Sequence, residues 1–312
     1  MKCYIGIDLG GTNIAGALVR EDGEILKKNS VRTLADRGPE AVSGSIAELI
    51  LSLAEGREIS GVGVGCPGSV DDEAGDVVFA CNLNWVHYDL RKVLREKTGF
   101  CVRLVNDANA AALAEALAGT AKGAESAVIV TLGTGVGSGV VLGGKLLTGY
   151  TGAASELGHS VIAANGEPCA CGRRGCFEQY ASATALTRMT KKAMAAHPES
   201  KLHAIAAEQG KVSGRTAFLA KKAGDPVGAE VVREYIGYLA LGLGNIINAF
   251  FPEIIALSGG IAKEGEYLLE PLRKEVEKQE YAFSYSKKHT RIECCSLGND
   301  AGVIGAALFS KE

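Results

Sequence analysis

Two stretches decide the fold: IGIDLGGTNIAGALV, residues 5–19, and VIVTLGTGVGSGVVL, residues 128–142. Each reads as an apolar strand, a glycine-rich turn and a second strand. A Glu21-Asp22-Gly23 turn and a further strand follow the first; a Gly143-Gly144 turn and Lys145-Leu146-Leu147 follow the second. Moving outward, each half then has a short apolar strand ending in glycine, GVGVG from Gly61 and IIALSGG from Ile254. Each half closes with a strand, an Asn-Asp-Ala and an alanine-rich helix: RLVNDANAAALAEAL from Arg103 and CCSLGNDAGVIGAALF from Cys294. Three matched segments in one order, at a spacing too long for a solenoid, describe a duplicated α/β domain. Each half is expected to be a hairpin-opened sheet covered by helices, with an interdomain cleft as the ligand site.

The expected division is a small α/β domain over residues 1–118, with a C-terminal helix at 301–312 packing back on it, and a large domain over 119–300. Residues 182–250 have no counterpart in the first half and read as helical. Asp225-Pro226 supplies an N-cap and a first-turn proline, and Pro252 a stop. Gly242 and Gly244 lie inside that helix at about 1 kcal/mol each relative to alanine, so close helix-to-sheet packing is expected there.

Composition narrows the class. The chain has 312 residues, 47% hydrophobic, enough for a sizeable core. Glycine is in excess, 41 of 312, against an average near ~7%, and clusters at strand-to-turn corners. A net charge of −3 and a pI of about 6.0 disfavour a nucleic-acid partner. Nine cysteines, an odd number, argue against a secreted disulfide framework. Asp8 interrupts the apolar run from Tyr4, so no signal peptide is read. The uncharged stretch Tyr235 to Phe251, 17 residues with Asn245 and Asn248, is shorter than the ~20 a spanning helix needs. A cytoplasmic protein with reduced thiols and no membrane partner is expected.

Several constellations carry chemistry. In the turn Asp8-Leu9-Gly10-Gly11-Thr12-Asn13, consecutive glycines allow backbone N–H groups to converge on an anion, and the Asp8 carboxylate can hold Mg²⁺. A plain Gly-Gly hairpin is the alternative. The second turn, Thr131-Leu132-Gly133-Thr134-Gly135, stands at the equivalent position, and the pair would grip a polyphosphate from both sides. The chain contains no G-x4-G-K-[ST], and no G-x-G-x-x-G opens a helix. Ser258-Gly259-Gly260 is either a tight turn or a corner against which a nucleotide lies. Asn106-Asp107 follows a strand and starts a helix, so Asp107 is either an N-cap or an exposed carboxylate able to take a hydroxyl proton in phosphoryl transfer. Asn299-Asp300 occupies the matched position in the second half.

His159, Cys169, Cys171 and Cys176 have the spacing H-x9-C-x-C-x4-C. Four N/S ligands with no open position describe a structural Zn²⁺ site, and Gly172 and Gly175 allow the sharp turn. Glu156 and Glu178 flank this loop as candidate acceptors for sugar hydroxyls. The other cysteines, Cys3, Cys66, Cys81, Cys101, Cys294 and Cys295, read as core.

These residues resemble the ROK family of sugar kinases and repressors, in the actin-like ATPase superfamily with its ribonuclease H-like domains. The zinc-containing bacterial glucokinases are the nearest likeness. The resemblance spans the chain and rests on DLGGTN, the CPG at 66–68, VNDANAAALAE, LGTGVGSG, GAASELGH, CACGRRGCFEQYAS and the SGG at 258. It implies Asp107 as base on a hexose 6-hydroxyl, with Gly68, Asn106, Glu156, His159 and Glu178 on the sugar. It implies ATP with Mg²⁺ at Asp8–Asn13 and Thr131–Gly137, structural Zn²⁺, and a homodimer. In one departure, Ser155 stands where many kinases of the family have glycine. Glucose is the expected substrate; an N-acetylhexosamine or fructose is the alternative. The family's repressors carry a helix-turn-helix ahead of the sugar domain, and with a first strand read from Tyr4 a repressor is not the expected reading.

Overall fold

The computed structural model describes residues 2–150 and 152–311. Strands β1 (Cys3–Leu9), β2 (Asn13–Arg20), β3 (Ile25–Arg32), β4 (Gly61–Cys66) and β8 (Val102–Asn106) form one sheet in the order β3-β2-β1-β4-β8. The three strands β5 (Ser69–Asp71), β6 (Asp76–Ala80) and β7 (Trp85–Tyr88) make a small sheet of their own. Strands β9 (Ser126–Leu132), β10 (Val136–Leu142), β11 (Lys145–Leu146), β12 (Ile254–Gly259) and β13 (Arg291–Cys294) repeat the first pattern as β11-β10-β9-β12-β13. The duplication read from three short segments is thus a duplicated sheet topology.

In the first sheet, two hairpins make β1, β2 and β3 antiparallel, whereas β4 and β8 run parallel to β1. Parallel neighbours need crossovers. Helices α1 (Pro39–Ala54) and α2 (Leu90–Thr98) supply them. Alternate side chains of β1 point to opposite faces. Ile5, Ile7 and Leu9 meet Ile46, Ile50 and Leu94 on one face, and Tyr4 meets Val303 and Ala307 on the other. The exposed edge strand β3 carries Lys27, Lys28 and Arg32, charges that discourage pairing with another edge.

Two further helices complete this region, α3 (Asp107–Leu117) and α10 (Ala301–Phe309). The last lies directly on β1 and β4: a Cβ at Gly6 would fall 1.8 Å from the Val303 carbonyl oxygen, and one at Gly63 the same distance from that of Ala306. The glycine excess therefore does not sit only at corners. Part of it lies inside strands, where a helix backbone approaches.

The chain divides into two compact units, one of Met1–Ile129, Gly139–Ser155 and Ser296–Glu312, the other of Val130–Ser138 and Glu156–Cys295. The second unit holds α4 (Glu178–Ala181), α5 (Ala183–Ala196), α6 (Leu202–Glu208), α7 (Thr216–Lys222), α8 (Pro226–Phe250) and α9 (Glu266–Val276). Asp225 caps α8 through the N–H groups of Val227 and Gly228. The expectation of helix-to-sheet packing at Gly242 and Gly244 is corrected: these glycines admit the Phe177 ring and the Gln279 side chain. The cysteine reading also changes. Cys3 and Cys66 are buried, Cys294 and Cys295 are half-buried, and Cys81 and Cys101 are exposed, Cys81 opening a single helical turn after β6 and Cys101 standing just before β8. No helix among the described residues is long and apolar enough to cross a membrane.

Candidate active site and metal centre

In the first unit, β8 ends on Asn106 and α3 begins at Asp107. Asn106 is extended (φ −62°, ψ 144°), and its Oδ1 accepts the Asn109 N–H at 3.1 Å. It is therefore the N-cap of α3. Its Nδ2 donates to the Gly68 carbonyl at 2.9 Å, fixing the amide from both ends. The cap role is thus filled by Asn106, leaving Asp107 with the adjacent Ala108 N–H at 2.8 Å. Burial raises the Asp107 pKa, against the opposing pull of the Ala108 and Asp107 N–H groups and the Asn106 amide. The matched Asp300 instead pairs with Lys28.

Asp8, at the end of β1, is pushed up to about 6, first by burial and then by Asp107, with Lys28 acting the other way. Two carboxylates each raised in one neighbourhood are relieved by a cation, so the site suits a hard divalent ion. The adjoining turn is closed by the Gly10 N–H on the Asn13 carbonyl (3.0 Å) and by the Thr33 hydroxyl on the Gly10 carbonyl (2.6 Å). Gly11, Thr12 and Asn13 are left exposed.

In the second unit, the turn between β9 and β10 is held by the Gly133 N–H on the Gly135 carbonyl at 3.0 Å. The Thr131 and Ser258 hydroxyls lie 2.9 Å apart, which fastens the second glycine turn to the Ser258-Gly259-Gly260 corner. Gly259 has φ +93°, and a Cβ there would lie 2.4 Å from the Leu132 carbonyl oxygen. At Gly133 and Gly260 a Cβ would meet nothing within 4 Å. The chain itself does not require glycine at those two positions, and the backbone there is open to a ligand.

The metal ligand candidates come together in the same unit. His159 closes the single turn Leu157–His159. Cys169 to Cys176 form a knuckle braced by bridges between Val161 and Cys176 and between Pro168 and Arg174. Gly175 has φ +78°, and a Cβ there would strike the Ala163 carbonyl oxygen at 1.7 Å. The four ligand atoms all lie within 4.8 Å of one another. Cys169 Sγ is 3.6 Å from His159 Nδ1, and Cys171 Sγ is 3.6 Å from Cys176 Sγ. A tetrahedral Zn²⁺ with its usual bond lengths sets S···N edges of about 3.6 Å and S···S edges of about 3.8 Å, so the cluster fits the ion. Arg173 donates to the His159 carbonyl at 2.6 Å and, with its own N–H, holds the Cys171 thiol down at about 6.

Glu178 follows the knuckle, and its Oε2 accepts the Val136 N–H at 3.1 Å. Glu156 is exposed just before His159. Ser155 has φ +70°, a left-handed backbone that favours glycine. Its hydroxyl donates to the Leu147 carbonyl at 3.1 Å, which offsets part of the strain. Sequence reasoning missed Ser258 as partner of Thr131 and the charge of Lys28 acting on Asp8, because each pairing joins residues on different strands. Gly68, Asn106, Asp107 and Asp8 therefore belong to the first unit, and Glu156, His159, Glu178 and the second turn to the second.

The chain matches the ROK family over residues 4–312. It is 41% identical over 309 residues to a glucokinase of Thermotoga maritima, covering 99% of this chain and 97% of that one. A ROK family glucokinase from Streptomyces griseus, solved with glucose and AMPPNP, superposes with a TM-score of 0.82 at 34% identity, covering 99% of both chains. A ROK hexokinase from Thermus thermophilus gives 0.84 at 34% identity, covering 99% of this chain and 98% of that one. Matched along residues 4–312 and 41% identical to a full-length relative, this chain belongs to the ROK family.

Proposed function

We propose that the protein is an ATP-dependent hexokinase that converts D-glucose to glucose 6-phosphate. The observation that carries this is the division of labour at the head of α3: Asn106 caps the helix and frees Asp107, whose raised pKa suits a general base. In this reading Asp107 takes the proton of the sugar 6-hydroxyl. The oxygen bonds to the γ-phosphorus of ATP as the bond from that phosphorus to the bridging oxygen breaks, and ADP leaves with its electron pair. Mg²⁺ at Asp8 would neutralise charge on the phosphates. The turns at Gly10 to Asn13 and Thr131 to Gly135, with Gly259 and Gly260, cradle the nucleotide. Gly68 presents its backbone to the sugar, and Asn106, Glu156 and Glu178 pair with its hydroxyls. His159 turns Nδ1 to the cysteines, and its other nitrogen is left for a hydroxyl. Zn²⁺ there would be structural and would fix that ring. The glucokinase and hexokinase relatives support glucose among hexoses.

Coupled ADP release over glucose, mannose, fructose, N-acetylglucosamine and N-acetylmannosamine tests the substrate. Glucose should have the highest kcat/KM, and faster turnover of an N-acetyl sugar would overturn the choice. Asp107→Ala should bind glucose in calorimetry while losing turnover by roughly 10²–10⁴-fold.

A further inference from the structure

The segment that follows the metal knuckle is fastened to the nucleotide turn at three points. The Val136 N–H donates to Glu178 Oε2 at 3.1 Å, the Ala183 N–H to the Gly133 carbonyl at 2.8 Å, and the Thr184 hydroxyl to the Thr134 carbonyl at 2.7 Å. Residues 133 to 136 are therefore held by residues 178 to 184, all within one unit. The fit is close: a Cβ on Gly135 would lie 2.2 Å from Glu178 Oε2 and 3.1 Å from its Cδ. Glu178 is half-buried, so its carboxylate has limited room to retreat.

We propose that Glu178 is a positioning residue for the nucleotide as well as a ligand of the sugar, and that its contact with Gly135 and Val136 couples the two substrates. Thr184 is a second positioning residue, acting on the nucleotide turn alone. The idea rests on the kinase reading above. Its physical content is a shared carboxylate. A sugar that orders Glu178 also orders the Val136 N–H and the turn that takes the phosphates. By reciprocity, a nucleotide that orders the turn also presents Glu178 to the sugar.

The test measures each ligand in the absence of the other, by titration calorimetry on the zinc-loaded protein. Glu178→Gln should weaken Mg²⁺-ADP binding to the sugar-free protein by about three- to tenfold, the loss expected when a charge-assisted bond becomes a neutral one. No sugar is present in that experiment, so the effect has to pass through the turn. Gly135→Ala should weaken glucose binding to the nucleotide-free protein by a similar factor. Thr184→Val should weaken ADP alone, and Thr184→Ser should restore it. Melting curves report whether each variant is folded, and if Glu178→Gln is not, the Gly135 and Thr184 variants still decide. Wild-type ADP affinity in folded Glu178→Gln, or wild-type glucose affinity in Gly135→Ala, overturns the coupling. A wild-type protein that does not phosphorylate glucose overturns the kinase reading instead.

Discussion

Gly302, in the first turn of α10, separates the stability of this protein from its activity. Glycine in a helix costs up to about 1 kcal/mol relative to alanine, so Gly302→Ala is favourable by propensity alone. A Cβ there would lie 2.6 Å from Asp8 Oδ2 and 2.8 Å from Asp8 Cγ, where ordinary contact begins at 3.4 Å. The carboxylate therefore has to withdraw by about 0.8 Å, the difference between 3.4 and 2.6 Å. A side-chain rotation achieves this for about 0.5–1.5 kcal/mol, roughly cancelling the gain in the helix. The melting temperature should scarcely change. Function has no such offset, because a misplacement near 1 Å costs up to about a hundredfold. We expect kcat/KM to fall ten- to a hundredfold, with a raised Mg²⁺ requirement. Coupled ADP release across a Mg²⁺ series, beside a melting curve, measures both. Wild-type turnover with unchanged Mg²⁺ dependence would refute the placement of the metal at Asp8, and a collapse in melting temperature would show that the backbone yields instead.

Three further outcomes follow from the site and its supports. Purified protein should hold close to one zinc per chain, and Cys176→Ser should lose the metal and weaken glucose binding through His159; full activity in metal-free protein would contradict this. Because burial raises Asp107 and the base must be deprotonated, activity should fall as pH drops through a value above the ordinary carboxylate pKa of 3.8. An acid limb of kcat/KM at or below 3.8 would remove Asp107 as the base. Glu115, 1% exposed, accepts from the Thr120 N–H (2.9 Å), the Leu297 N–H (2.8 Å) and the Ser296 N–H (3.3 Å), tying the end of α3 to the approach to α10. Glu115→Ala strands those donors and should cost about 3 kcal/mol or more in denaturant unfolding; a loss under about 1 kcal/mol would refute the tie.

Local features were legible and distant ones were not. Asn106 and Asp107 are adjacent, and helix-end chemistry confines them to two roles, but only backbone angles and the bond from the Asn109 N–H to Asn106 Oδ1 assign the cap to one of them. Ser155 was visible as a departure from glycine, yet its left-handed backbone and its bond to the Leu147 carbonyl appear only in the fold. Gly242 and Gly244 were visible as costs, but Phe177 and Gln279, which they accommodate, are far away in sequence.

The duplicated topology and the candidate metal ligands were readable from the residues alone. Strand, turn and helix signals act over a few residues, and His159 and the three cysteines lie within one short loop. Tertiary structure decided which groups share an electrostatic neighbourhood and which backbones touch. Asp107 adds to the burial that raises Asp8, although β1 and α3 are nearly a hundred residues apart. Strand glycines serve the close approach of α10, and Gly135 leaves space for Glu178. Coulomb and steric terms depend on distance in space, which residue spacing does not encode once the chain has crossed a sheet.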